Sequence, residues 1–169
     1  MLKTPVQGAS DDEWFEYAQQ SCEALKFHLS EFLAERFNYK PRYVSQHLNR
    51  SFATVSAKTK KYDLYLRAFP RPHEFWPRES ITIARIMFKE RRAGHGRDLV
   101  KLLVELAPEF GYKFLTIESA NENSSAFALR MGFTPYEDGK HWVGSVKEIQ
   151  RSLANQAATK TIRQRDRHL

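Results

Sequence analysis

The segment from Glu79 to Gly96 constrains the fold of this chain more than any other. It contains a nearly continuous apolar run over residues 81–88 that is rich in β-branched side chains. A strand buried on both faces has this pattern. A basic turn containing Gly94 follows, and apolar residues then recur at helical spacing over residues 99–106. The sequence therefore predicts a buried strand, a basic turn and a helix in direct succession.

The basic turn predicts a binding site for an anion. The first amides of a helix have no partners within the helix, and the helix dipole places partial positive charge there. Gly94 and Gly96 lack Cβ atoms, so a ligand can approach the backbone closely. The arginines of the turn, Arg91, Arg92 and Arg97, add charge and forked donors that suit phosphate. We interpret the turn as a pyrophosphate cradle; the alternative is a solvated turn whose glycines only permit the bend.

Two common phosphate-binding motifs do not fit this turn. A Walker loop ends in Gly-Lys-Ser or Gly-Lys-Thr, whereas Gly96 is followed here by Arg97 and Asp98. The dinucleotide-binding fingerprint has a third glycine three residues further on, where this chain has Leu99. A P-loop nucleotidase and a Rossmann dehydrogenase are therefore both disfavoured.

The composition fits one domain with no disulfide. The 169 residues are 41% hydrophobic, which is enough for one core. We assign a single domain to residues 1–150 and a basic, flexible tail to residues 151–169. The single cysteine, Cys22, lies on an apolar stripe and is expected to be buried and inert. We expect a cytoplasmic protein with no membrane partner, and the formal charge of +7 favours anionic partners.

The N-terminal half predicts a long helix and a strand. A capping box at Ser10 begins the helix, which is expected to end near Phe37. Residues 42–59 fit either a second helix or a strand, and residues 62–69 alternate as a strand does. The proline-rich loop 69–78 presents aromatic and basic side chains that either stack on a ligand or cover the core.

The C-terminal half predicts a second strand parallel to the first. This strand spans residues 114–118 and should be joined to the strand at 81–88 by a right-handed crossover. A short capped helix follows and ends near Gly132, which occupies the position after the helix. Two further short strands are predicted over residues 133–136 and 142–146.

These features together resemble the GNAT acyltransferase superfamily. The motif from Arg91 to Gly96, Arg-x-x-Gly-x-Gly after a buried strand, resembles the cofactor motif of that family. Asn121, with the Gly-Phe pair at 132–133, is similar to its second motif at the usual spacing. The resemblance covers residues 79–146, which we identify as the cofactor-binding core.

The resemblance implies both a fold and a cofactor. The fold is an α+β arrangement, a mixed and mostly antiparallel sheet whose central parallel strands splay apart, with helices on both faces. Acetyl-CoA would enter the cleft between the splayed strands. The residues that the resemblance assigns to acetyl-CoA are Ile86, Met87, Arg91, Arg92, Ala93, Gly94, His95, Gly96, Arg97, Asn121 and Ser124.

The implied chemistry is direct transfer of an acetyl group from the thioester to an amine, for which a base must remove a proton. We favour Glu118 over Glu79 as this base, because Glu118 ends the second parallel strand; the alternative is a surface acid. Arg85 is a charge within an apolar strand, so it must be paired or face a cavity. It either lines the acceptor site or forms a structural ion pair.

The resemblance does not identify the residue that donates a proton to the leaving thiolate. The family often supplies a tyrosine seven residues after the motif asparagine, and this chain has Ala128 there. Tyr136 is our candidate substitute, with Ser124 and Ser125 as alternatives.

Three functional hypotheses follow. The first is an acetyl-CoA-dependent N-acetyltransferase whose amine acceptor is a small molecule, a protein or a nucleic acid. The second is a non-catalytic module of this fold that binds nucleic acid or protein, and the third is an enzyme of this type that modifies nucleic acid. No metal site is predicted, and homodimerisation is left open.

Overall fold

The structure is a computed structural model that describes residues 2–70, 76–137 and 139–165. Its strands form one seven-stranded sheet in the order β1-β2-β3-β4-β5-β7-β6. Only β4 and β5 pair in parallel, so the predicted mixed, mostly antiparallel α+β fold is confirmed. The strands are β1 Val44–Leu48, β2 Ala53–Lys58, β3 Tyr62–Ala68, β4 Ser80–Phe88, β5 Phe114–Ile117, β6 Thr134–Tyr136 and β7 His141–Ser145. The helices are α1 Asp11–Phe37, α2 His95–Phe110, α3 Glu122–Arg130 and α4 Val146–Arg165, with a 3₁₀ turn at Pro41–Tyr43.

Helix α1 begins and ends where the sequence predicts. The Ser10 hydroxyl accepts a hydrogen bond from the Glu13 amide at 3.2 Å, and the Glu13 carboxylate accepts one from the Ser10 amide at 2.8 Å. This reciprocal pairing satisfies donors that a helix start otherwise leaves unpaired. The helix ends at Asn38, whose backbone is left-handed. Cys22 is buried on the apolar stripe, and burial raises the pKa of its thiol to about 12. None of the described helices combines the length and apolar character needed to cross a membrane.

Residues 42–59, for which the sequence allowed either a helix or a strand, form a β-hairpin. Strands β1 and β2 pair antiparallel, and β2 pairs on its other side with β3. The small apolar residues Ala53, Val55 and Ala57 alternate on the face that is fully buried. Short-range periodicity could not choose between helix and strand here, because the choice depends on pairing with β3.

The two parallel strands part after Ile83. Pairing of β4 with β5 runs from Ser80 opposite Phe114 to Ile83 opposite Ile117. On the other side of β4, the register with β3 shifts so that Ala84 is an extra residue, which is a β-bulge. Beyond this point β4 continues to Phe88 and pairs only with β3. The predicted splay is therefore present, and it leaves one backbone edge of β4 open.

The C-terminal segment corrects one prediction. Residues 151–165 continue helix α4 instead of forming a flexible tail. The helix starts with a capping box in which the Ser145 hydroxyl accepts a hydrogen bond from the Glu148 amide at 3.2 Å. Ile149 is fully buried and packs against Gly144 of β7. The sequence pattern did not predict this helix, because the residues after Arg151 are mostly polar. Residues 166–169 lie outside the described residues.

Candidate functional site

The turn before α2 presents unpaired backbone donors. Helix α2 has Gly94 as its N-cap, with φ of +82° and no side-chain cap. Within the described residues, none of the backbone amides from Arg91 to Arg97 donates a hydrogen bond to the protein, and the first to do so is Asp98, to the Gly94 carbonyl at 3.0 Å. A helix start without protein partners is suited to bind an anion.

The same turn concentrates positive charge and backbone strain. The side chains of Arg91 and Arg92 are exposed. Arg92 has φ of +62°, a left-handed conformation that is rare outside glycine and that clusters at functional sites. Arg97 is also exposed and pairs with Asp98 at 3.2 Å. A Cβ atom at Gly94 would lie 3.1 Å from Arg97 Nη2, so a side chain there would crowd the turn.

His95 contributes to this turn through its backbone, because its side chain packs inward. The ring lies 4.8 Å from the Phe37 ring and 5.3 Å from the Phe88 ring, centroid to centroid. Its Nδ1 is 2.9 Å from Arg36 Nη1, and its Nε2 is 3.5 Å from Glu90 Oε2. The predicted contact between His95 and the cofactor is therefore possible only for its amide.

The open edge of β4 lies beside the turn. A Cβ atom at Gly96 would be 3.2 Å from the Phe127 ring and 3.6 Å from Ile86 Cδ1. Phe127 of α3 and Ile86 of β4 thus lie close to the start of α2, and a side chain at Gly96 would require the Phe127 ring to shift by a few tenths of an ångström. Met87 is 52% exposed at the same end of the strand. The structure therefore brings together the turn and the predicted strand residues.

Asn121 and Ser124 form the cap of α3. The Asn121 side-chain oxygen accepts a hydrogen bond from the Ser124 amide at 3.0 Å, and the Ser124 hydroxyl accepts one from the Asn121 amide at 2.8 Å. This reciprocal arrangement is a capping box built on asparagine. A role for either side chain at the cofactor stays a prediction, in addition to this structural role.

Glu118 lies at the point where the parallel strands part. Its amide donates to the Ile83 carbonyl at 3.2 Å, the last backbone link between the strands. Its carboxylate accepts a hydrogen bond from Trp76 Nε1 at 3.0 Å and pairs with Arg67 Nη2 at 3.1 Å. The Glu118 side chain is 14% exposed, and Arg67 Nε is buried without a hydrogen-bond partner. The candidate base is thus a largely buried carboxylate that contacts one guanidinium and one indole N–H.

Sequence reasoning missed both partners of Glu118. Arg67 lies on the less buried face of strand β3, where buried and partly exposed residues alternate. The sequence pattern could assign Arg67 to this face, but it could not identify Glu118 as its partner. Trp76 belongs to the proline-rich loop and is 3% exposed, and Phe69 is 6% exposed. The described part of this loop therefore packs against the protein; residues 71–75 lie outside the described residues.

Tyr136 joins the same cluster through Trp76. The Trp76 ring lies 5.5 Å from the rings of both Tyr136 and His141, centroid to centroid. Ala128, at the position of the usual family tyrosine, is fully buried in the core. Ala128 carries no proton donor, so a role for Tyr136 in donating the proton stays a prediction.

Arg85 forms an ion pair at an exposed position. Its side chain is 59% exposed and pairs with Asp63 at 3.1 Å. The residue lies just after the bulge at Ala84, where the fully buried part of β4 has ended. Of the two alternatives, the structure thus contains an ion pair, and a role for Arg85 at the acceptor stays a prediction.

The fold and the site together define a GNAT-like architecture: a mixed sheet with one splayed parallel pair and an uncapped basic turn at the start of the crossover helix. No protein-family model and no curated protein matches the sequence. Among solved structures, the chain is similar to an Elp3 with an N-terminal deletion from the archaeon Methanocaldococcus infernus. The identity is 10% and the TM-score 0.49, over 67% of this chain and 33% of that chain. The chain thus spans about a third of that Elp3.

Two further similar structures are a protein named as a probable acetyltransferase and a toxin bound to acetyl-CoA. One is a probable GNAT-family acetyltransferase from Chromobacterium violaceum, with 21% identity over 57% of this chain and 59% of that chain, and a TM-score of 0.39. The other is a mutant of the toxin AtaT bound to the C-terminus of the antitoxin AtaR and acetyl-CoA. It has 18% identity over 59% of this chain and 69% of that chain, and a TM-score of 0.40.

Proposed function

We propose that this chain binds acetyl-CoA and transfers its acetyl group to an amine. The unpaired amides from Arg91 to Arg97 are the single observation that carries this proposal. They would bind the diphosphate of CoA, aided by the arginines and by the dipole of α2. The open edge of β4 after the bulge would offer backbone groups to the pantetheine arm, whose amides need such partners.

The transfer requires two proton movements. The amine nitrogen attacks the thioester carbonyl carbon, the carbon–sulfur bond breaks, and the amine loses a proton while the thiolate gains one. The Glu118 carboxylate would accept the first proton, directly or through water. Arg67, 3.1 Å from the Glu118 carboxylate, would hold this side chain in place. Tyr136 would supply the second proton.

The oxyanion formed during attack needs a hydrogen-bond donor. The bulge at Ala84 interrupts regular pairing of β4, so a backbone amide of this strand would serve. The acyl group would then lie where the two strands part, beside Glu118.

Calorimetry with CoA tests the cradle. Wild-type protein should bind CoA, and Gly94→Glu should weaken binding at least tenfold by adding negative charge and bulk to the turn. Gly8→Glu is a matched control, because Gly8 also has a left-handed backbone, with φ of +87° and no atom within 4 Å of its Cβ position. Gly8→Glu should bind CoA as the wild type does. Equal binding by wild type and Gly94→Glu would overturn the proposal.

A second candidate is a nucleic-acid-binding module without acetyl transfer. The net charge of +7 and the pairing of Glu118 with Arg67 favour it. Retention on RNA and DNA over a series of salt concentrations tests this, because phosphate contacts weaken steeply with salt. Salt-dependent retention without CoA binding would favour the module, whereas retention together with thioester cleavage would indicate an enzyme with a nucleic-acid acceptor.

A further inference from the structure

The end of helix α1 is fixed to the start of helix α2 by one arginine. Arg36 Nη2 lies 2.6 Å from Asp98 Oδ2, and Arg36 Nη1 lies 2.9 Å from His95 Nδ1. The guanidinium also lies over the Phe32 ring, 5.0 Å from its centroid. Only 26% of the Arg36 side chain is exposed. A single cation thus holds two residues of the first turn of α2.

We propose that Arg36 is a positioning residue for the cofactor cradle, which neutralises Asp98 and keeps the turn correctly shaped for an anion. This inference rests on the proposed function, because it concerns the same turn. Helix α1 would then contribute to cofactor binding, although Arg36 lies outside the turn motif.

The first step of the argument is charge. Asp98 is an acid in the first turn of α2, the turn that would receive the diphosphate. Burial opposes ionisation of Asp98, but hydrogen bonds and charge from Arg36 and Arg97 outweigh burial and hold its pKa below the ordinary value. The carboxylate is therefore ionised at neutral pH and would repel an incoming anion. Arg36, at the end of α1, and Arg97 together neutralise the Asp98 carboxylate.

The second step is the protonation of His95. A guanidinium only donates hydrogen bonds, so His95 Nδ1 must accept, and the ring proton must be on Nε2, facing Glu90. A doubly protonated ring would direct an N–H at Arg36. The charged groups around the ring are Arg36 from α1, Glu90 from the turn, Asp98 from α2 and Lys61, whose Nζ lies 6.0 Å from the Phe37 ring on which His95 packs. Arg36 therefore selects one neutral tautomer.

The third step is position in the chain. His95 is the first residue of α2 and directly follows the N-cap. Its ring is held between Phe37 and Phe88, so a displaced ring would move the backbone of the turn that carries the unpaired amides. Arg36 thus acts on the cradle through His95 and Asp98, without touching the ligand itself.

Calorimetry with CoA on arginine variants tests the proposal. Arg36→Gln should weaken CoA binding about tenfold or more, and Arg36→Gln with Asp98→Asn should recover a large part of the loss. Arg78→Gln is a matched control, because Arg78 pairs with Asp11 at 2.7 Å and lies over the Trp14 ring at 5.2 Å, at the opposite end of α1. Arg78→Gln should leave CoA affinity unchanged.

A second readout separates positioning from stability. Nitrogen-15 NMR of the histidine rings should show His95 as the Nε2–H tautomer in the wild type and as a mixture in Arg36→Gln. If Arg36→Gln does not fold, Arg36→Lys keeps the charge with a single donor group and should show weakened binding and a mixed tautomer. An Nδ1–H tautomer in the wild type would overturn the proposal.

The calorimetric outcomes distinguish this inference from the proposed function. No binding of CoA by the wild type would overturn the cradle and this inference with it. Binding by the wild type and equal binding by a folded Arg36→Gln variant would overturn this inference alone.

Discussion

The two ends of the β4–β5 pair differ although they belong to the same strands. At the closed end, Ser80–Ile83 pairs fully with Phe114–Ile117, and the buried hydroxyls of Thr82 and Thr116 lie 2.7 Å apart. At the open end, β4 continues past Ala84 without β5, and among the described residues the amides from Arg91 to Arg97 donate no hydrogen bond to the protein.

This contrast shows how one element serves both the core and the site. Buried backbone groups are nearly always paired, so a protein leaves donors unpaired only where solvent or a ligand can reach them. At the closed end, β4 and β5 are fully paired. This pairing ends next to the bulge at Ala84, so the open end begins at a defined residue. We therefore expect substitutions at the closed end to alter stability and those at the open end to alter binding.

The largest expected effect is at the closed end. Leu115 is fully buried, so Leu115→Ala should lower the free energy of unfolding by about 2–5 kcal/mol through lost burial and a residual cavity. Met87 at the open end is 52% exposed, and Met87→Ala should change it by less than about 0.5 kcal/mol. Urea denaturation of both variants measures the difference. Similar losses would show that the open end is as well packed as the closed one.

The next largest effect on stability is expected at the buried pair of Thr82 and Thr116. Thr82→Val leaves the buried Thr116 hydroxyl without its partner and should cost about 1–3 kcal/mol of stability. The double variant, with valine at both positions, should recover much of that loss because no unpaired hydroxyl remains. A double-mutant cycle by urea denaturation tests this, and strictly additive losses would contradict it.

Asn121 tests whether a cap at the open end also binds the cofactor. Asn121→Ala should cost about 1 kcal/mol of stability, because the cap of α3 is lost. Asn121→Asp should keep the stability, since aspartate also caps, yet weaken CoA affinity by placing a negative charge beside an anionic ligand. Thermal unfolding and CoA titration of both variants measure the two effects. Unchanged CoA affinity in Asn121→Asp would leave Asn121 with a structural role only.

The smallest expected effect is the pH dependence of the Arg36–Asp98 pair. The pKa of Asp98 is lowered in the folded protein, so the unfolded chain binds its proton more readily. The pair therefore contributes its full stabilisation above the ordinary carboxyl pKa of about 3.9 and loses it as the pH falls towards the lower folded value. Because the pair is partly exposed, the contribution should be about 1 kcal/mol or less. Acid titration of stability should be flatter in Asp98→Asn, and an unchanged profile would contradict this.

The sequence predicted those parts that depend on neighbours along the chain. The capping box at Ser10, the buried strand before Gly94 and the cap at Asn121 each involve residues within a few positions of one another. Their spacing is therefore visible in the sequence. Of the predicted tail at 151–169, residues 151–165 are helical, which the sequence did not predict because a short anchored start at Ile149 carries a long polar helix.

The site depends more on contacts that spacing does not reveal. Glu118 could be placed at the end of its strand, but its pairing with Arg67 and Trp76 arises from strands and a loop that are distant in sequence. Arg85 was expected to be paired or to face a cavity, and its partner Asp63 is brought near by the pairing of β4 with β3.

The amino-acid order by itself determined the strand–turn–helix unit and predicted an anion site in its turn, because periodicity, glycine placement and unpaired helix amides are local properties. Only the tertiary structure decided which charges meet across that unit. Arg36 reaches Asp98, and Arg67 reaches Glu118, because the sheet and the packing of α1 bring distant segments within hydrogen-bond distance.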